Sequence, residues 1–348
     1  MNLPDAEWTE APVSLKTEAW AYFDRIISDA APDSAHSNPW VREVDGRLSY
    51  EPDFDTLERL LSVPLHLRAT TQTGVPALAL DVWLSHELRR AGFGPDSVWP
   101  RASHPRILPQ PVANLIAAAP RRLAKEIEHL LRSKATVKEV TSASASILGK
   151  NYLKQVDVIM SDWQTGPEIL ISTKRMDSSF GKNAANRIEE SYGDAKNLRL
   201  RHPLAALGFV FGLRSTILQE EPEKAEWLID LLEKLGREDD AYHATCLVML
   251  DYGGEIDDDD TLDADDALVA AGLESDPEAD EGMPVVAISE LEGVIAAMPA
   301  VRVQHASIPD ALSPATFLAT MVRRVLDTTP VTLHRDARAR LKRPRDRE

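Results

Sequence analysis

An aspartate inside one apolar run and a lysine at the end of the next are the residues of this chain most out of place. Asp157 interrupts Val156–Met160, and Lys174 follows Ile169–Thr173. The two runs are rich in β-branched residues and are joined by the polar stretch Asp-Trp-Gln-Thr-Gly-Pro, a pattern that predicts a β-hairpin. Alternation along a strand puts Ser172 and Lys174 on one face and Thr173 on the other. Paired in register, the hairpin sets Asp157 across from them. A carboxylate beside an ammonium at a sheet edge, joined by a divalent metal and water, has what phosphodiester hydrolysis needs. The metal offsets developing negative charge and generates hydroxide, and the cation orients the water. Without the metal, the same two residues make a structural ion pair.

The elements that must position this pair can be read in order. After Pro109–Pro111 a helix is expected to about Arg132, with an apolar stripe of Val112, Leu115, Ile116, Ala119, Leu123, Ile127 and Leu130. Glu126 falls inside that stripe and Glu128 outside it. A carboxylate so placed is either an edge residue reaching out to water or part of a buried site. A strand is expected over Ala135–Ser144, then the hairpin, then a helix over Asn183–Asn197. The continuous apolar run Leu204–Leu213 reads as a strand buried on both faces. A helix over Glu221–Leu235 and a strand over Ala244–Asp251 follow. Helix, three strands, helix, strand, helix, strand implies an α/β (α+β) fold, with a mixed central sheet flanked by helices.

This arrangement resembles the PD-(D/E)xK nuclease superfamily, which includes many restriction endonucleases. A helix with an internal acid precedes three strands, Asp157 lies on the second strand and Ser172-x-Lys174 on the third. The resemblance covers about Val112–Tyr252. Val156 stands where that family commonly has proline, and Ser172 where it has Asp or Glu. In one branch, restriction enzymes recognising related CCGG-containing sites, the strand acid is likewise Ser or Cys, and a glutamate on the following helix takes its place. By helical phase Glu189 is the better substitute here, Glu190 lies on the far side, and Glu168 at the start of the strand ranks third. The resemblance implies a magnesium-dependent endonuclease, with manganese as a possible substitute, acting on double-stranded DNA. Asp157 and Glu189, with Glu126 and the Thr173 carbonyl, would form the metal shell, and Lys174 would polarise the water. Symmetric DNA suits a homodimer, and the setting implied is type II restriction or phage defence.

Composition bounds the rest. The chain has 348 residues, 43% hydrophobic and 27% charged, with a formal charge of −17. That total argues against nucleic acid, but charge is unevenly spread. Arg121–Arg214 carries 16 basic against 10 acidic residues, whereas Gly254–Met283 carries 13 acids and no Lys or Arg. Screening confines fields to roughly 8–10 Å, so a cationic segment can meet phosphates despite a negative total. The acidic stretch lacks the glycine and closing glutamate of a calcium loop, with Leu262 and Leu268 there instead. It is expected to be a solvated insertion. Residues 1–110 read as a mainly helical N-terminal region, 111–253 as the nuclease-like core and 284–330 as a C-terminal strand and helices. The basic tail, 331–348, is expected to be solvated or to contact phosphates. No P-loop, zincin, nucleophile-elbow or Cys/His zinc pattern occurs. The single Cys246 in an apolar strand is expected to be buried. The N-terminus lacks the features of a signal peptide and no apolar run is long enough to span a bilayer, so the expected setting is cytoplasmic, with no membrane partner.

Overall fold

A computed structural model describes residues 14–133, 145–178, 180–254 and 288–347. In chain order the elements are α1 (Leu15–Ala30), β1 (Trp40–Arg42), β2 (Leu48–Tyr50), α2 (Phe54–His66), α3 (Val75–Arg90) and β3 (Val98–Trp99). Next come α4 (Gln110–Ala118), α5 (Arg121–Ser133), β4 (Ser146–Leu148), β5 (Leu153–Gln155), β6 (Val158–Asp162), β7 (Gly166–Met176) and α6 (Phe180–Arg199). They are followed by β8 (Ala206–Arg214), α7 (Ile217–Glu220), α8 (Pro222–Leu235), β9 (Ala244–Asp251) and α9 (Ile288–Ala296). The chain ends with β10 (Arg302–Gln304), α10 (Pro314–Thr328), α11 (Arg335–Lys342) and β11 (Arg345–Asp346).

The main sheet has the order β10-β9-β8-β7-β6-β3. Its middle strands β7, β8 and β9 are parallel, because α6 and α8 return the chain between them, and antiparallel strands close both edges. The sheet separates two apolar layers. One holds Val158, Met160, Ile169, Ile171, Val210 and Val248 against α1, α2, α3 and α10. The other holds Ile159, Leu170, Phe209, Phe211 and Leu247 against α6 and α8. Burial on both sides explains why β8 reads as an unbroken apolar run. Gly208 is required where α10 crosses β8, since a Cβ there would stand 2.6 Å from the Phe317 ring. The mixed α/β architecture expected from the sequence is present.

Three expectations change. The helix expected to run unbroken to Arg132 is two helices, because Pro120 cannot donate a backbone hydrogen bond and disfavours helix in the residue before it. These helices pack on each other around Leu108, Ala113 and Leu131, away from the sheet. The helix that lies on the sheet before its strands is α3, and the strand beside β6 is β3. The boundary drawn at residue 110 therefore does not coincide with a break in packing, since α1–α3 share one apolar layer with the sheet. The basic tail folds back: α11 buries Ala337, Arg340 donates to the His36 and Arg90 carbonyls at 2.9 and 2.8 Å, and β11 pairs with β1. The strand expected over 135–144 and the acidic stretch fall outside the described residues, except for Gly254.

Candidate active site

The hairpin forms with the expected register: Val158 faces Ile171 on β7, so Asp157, one residue before β6, falls opposite Ser172. Its carboxylate enters the ladder itself. Asp157 Oδ2 accepts from the Thr173 N–H at 2.7 Å and so is pinned where the two strands part. On the other face of β7 the Thr173 hydroxyl donates to Asp81 Oδ1 of α3 at 2.6 Å. Both groups that Thr173 presents to these carboxylates are donors, which links the two acids through one residue. Asp81 is buried. Burial first, and the Asp157 charge second, push its carboxyl well above the usual carboxylate range.

On the α6 side, Asp157, Ser172, Lys174 and Glu190 line one small cleft, together with Lys154, Asp194, Phe209 and Tyr242. The cleft has about 20 Å³ of room, roughly that of one water-sized species. Its floor is tightly bonded. The Tyr242 hydroxyl donates to the Ser191 carbonyl at 2.9 Å, and Ser172 lines the cleft beside it. Burial and the Asp194 carboxylate push the Tyr242 phenol up, keeping it neutral. Asp194 pairs with Lys154 at 2.8 Å and accepts from the Tyr152 hydroxyl at 2.9 Å. Lys174 is half-buried at the mouth.

The structure thus brings together Asp157, Ser172, Thr173 and Lys174, and separates them from two other residues. Glu190, not Glu189, is the helix acid that lines the cleft. An apolar stripe through Ala184, Ile188 and Ala195 would take in Ala185 and Tyr192, but both are only half-buried, while Ser191, Asp194 and Asn197 are buried. That rotates the inward face toward Glu190. Glu126 is exposed on α5 and paired with Arg122 one turn away at 3.0 Å. Its helix does not reach the sheet, so it is a surface residue. Glu168 is buried at the far end of β7 and bonded to His334 and Thr165 at 3.1 and 2.7 Å. Sequence reasoning missed Asp81, whose signal was an acid inside the apolar stretch Leu78–Leu84 of a helix buried on all sides.

Among the described residues, no three His, Cys, Asp or Glu side chains stand together so as to hold a metal ion by themselves. Two carboxylates, Asp157 and Glu190, and the Ser172 hydroxyl do open on one cleft. This donor set fits a hard cation that keeps waters and takes phosphate oxygens from a substrate, as magnesium does, rather than a closed protein cage. No protein-family model, curated protein or solved structure matches the chain. Among the described residues no helix is long and apolar enough to cross a membrane.

Proposed function

We propose that the chain is a magnesium-dependent endonuclease of the PD-(D/E)xK type, hydrolysing phosphodiester bonds of double-stranded DNA. The observation that carries this reading is the convergence of Asp157, Ser172, Lys174 and Glu190 on one cleft where β6 and β7 part beneath α6. The order α3, β3, β6, β7, α6, β8 among the elements of the main sheet and its flanking helices supports it, with α4, α5, β4 and β5 inserted between β3 and β6 and α3 supplying an acid behind the strand pair. Asp157 and Glu190 would hold the cation, with Ser172 offering a hydroxyl where an acid is usual. A bound magnesium would supply Lewis acidity to a phosphate oxygen and to water. The Lys174 ammonium orients the attacking water and offsets charge on the phosphoryl oxygens. Asp81, linked to Asp157 through Thr173, steadies that side of the cleft. Double-strand cleavage would favour a homodimer, and type II restriction or phage defence is the setting that fits such chemistry.

A second reading is a catalytically silent DNA-binding module on the same fold. Ser172 favours it, because a buried hydroxyl beside Tyr242 stands where the missing acid would be. A duplex incubated with magnesium separates the two. The nuclease reading expects cleavage by wild type and a loss of about 10²–10⁴-fold in Lys174→Ala. Retardation of DNA on a gel without cleavage across divalent metals would leave the silent module.

A further inference from the structure

Below the N-terminal ends of β8 and β9, Arg199 at the end of α6 meets His243 just before β9, and the charge of Arg324 on α10 acts on both. The strand geometry sets the histidine's tautomer. The Leu207 carbonyl points toward β9, where it accepts from the His243 N–H at 2.8 Å. In a strand the N–H of a residue points to the same side as its carbonyl. There the Leu207 N–H donates to His243 Nδ1 at 3.0 Å, the ring standing in for a further backbone acceptor. With Nδ1 accepting, a neutral imidazole carries its proton on Nε2. Burial, then Arg199 and Arg324, hold His243 down to about 4, so the ring is neutral at physiological pH.

That Nε2 faces Arg199 Nη1 at 2.8 Å. Both are donors; Arg199 Nη1 also donates to the Ala241 carbonyl at 3.2 Å, but the His243 Nε2–H is left facing a cation, a contact that is unfavourable unless an acceptor lies against it. Arg324 adds a further donor group: its Nε is buried without a hydrogen-bond partner among the described residues. The nearby carboxylates do not resolve the surplus. Asp240 is taken up by Lys196 at 2.9 Å and lies within reach of the Tyr192 hydroxyl, and Asp239 acts on Arg199 only through its charge. A buried donor with no acceptor costs about 1–3 kcal/mol, and such groups mark a missing partner.

We propose that Arg199, His243 Nε2 and Arg324 form a binding site for the phosphate group of a ligand. Guanidinium groups suit phosphate because they donate in a fixed fork and stay charged. Glu190 in the cleft and Arg199 lie on the same helix nine residues apart, about 13–14 Å along its axis. Nine residues is about two and a half turns, so the two side chains leave opposite faces of the helix, and on the nuclease reading a phosphate held at Arg199 lies outside the cleft. The same chemistry would also hold a free phosphate or phosphorylated small molecule.

Inorganic phosphate titrated into the full chain, followed by the NMR signals of the His243 ring at constant ionic strength, reads the site without any cleavage. Wild type should give a saturable shift. Arg324→Gln and Arg199→Gln should weaken it about tenfold or more, Arg324→Lys should recover part of it, and Arg323→Gln should leave it unchanged. A parallel salt series with duplex DNA identifies the source. If the site takes a backbone phosphate, Arg324→Gln lowers the slope of log affinity against log salt by about 1. If phosphate binds but the slope is unchanged, the site holds a free phosphate group, and the nuclease reading stands or falls by cleavage alone. No saturable shift in wild type, or the same shift in both Gln variants, overturns the proposal.

Discussion

Helix α3 carries two buried acids six residues apart, and the fold treats them in opposite ways. Glu87 is fully matched: Arg90 Nη1 donates to both of its oxygens at 2.8 Å, Tyr50 donates at 3.0 Å and the Asp53 N–H at 2.8 Å. Asp81 accepts from one hydroxyl, Thr173, and stands near a second acid, Asp157. A matched buried charge is a device of structure, since removing either partner strands the other. Two acids facing the same strand, one of them with its proton affinity raised by burial and by the other, are poorly suited to holding a fold together. They suit a place that receives positive charge from outside.

The widest test of this contrast is at the matched acid. Glu87→Ala should lose about 3–5 kcal/mol of stability, because it leaves Arg90 buried without its carboxylate. Urea unfolding would show it, and a loss under about 1 kcal/mol would mean the network is not the structural half of the pair. At the cleft the contrast predicts activity effects with little change in folding. Glu190→Ala should reduce cleavage about a hundredfold, while Glu189→Ala retains most of it. The reverse order would return the displaced acid to the position expected from helical phase.

The smallest effect concerns Asp81 and pH. Its folded-state affinity for a proton is raised by burial and then by Asp157, so the folded chain binds more protons than the unfolded one above the ordinary aspartate range. Wild-type stability should therefore fall, relative to Asp81→Asn, as pH rises above about 4, by at most about 1.4 kcal/mol per pH unit. The fall ends once the pH passes the folded-state value, and the difference is constant below the unfolded one. Parallel pH–stability curves for the two proteins would show Asp81 to be matched after all.

Much of the site was legible because strands repeat every two residues. Charges inside apolar runs, Asp157 and Lys174, pointed to the hairpin, and the register put Asp157 opposite Ser172 as alternation requires. The helical acids were harder to read. An exposed helix pair such as α4 and α5 can carry an apolar stripe while packing on itself, so the stripe alone could not decide between the two readings of Glu126, which proves to be a surface residue paired with Arg122. On α6 the inward face is lined by Ser191, Asp194 and Asn197, polar residues that an apolar stripe cannot locate. Helix α3 is buried all round and has no polar face to orient it, so nothing in its periodicity pointed Asp81 toward β7. The docking of the tail depends on Arg340 and Arg345 meeting carbonyls of the 36–38 segment and of Arg90, contacts about 250 residues or more apart in sequence.

The most direct measurement is the nicking of supercoiled plasmid by wild type and by Asp157→Asn, with and without magnesium. The asparagine keeps the side chain's size and an oxygen for the Thr173 N–H while removing the charge that would hold the cation. Magnesium-dependent nicking by wild type, lost in Asp157→Asn with folding intact, is expected. Equal nicking by both proteins, or none by wild type with any divalent metal, would contradict the assignment of this cleft as a nuclease site.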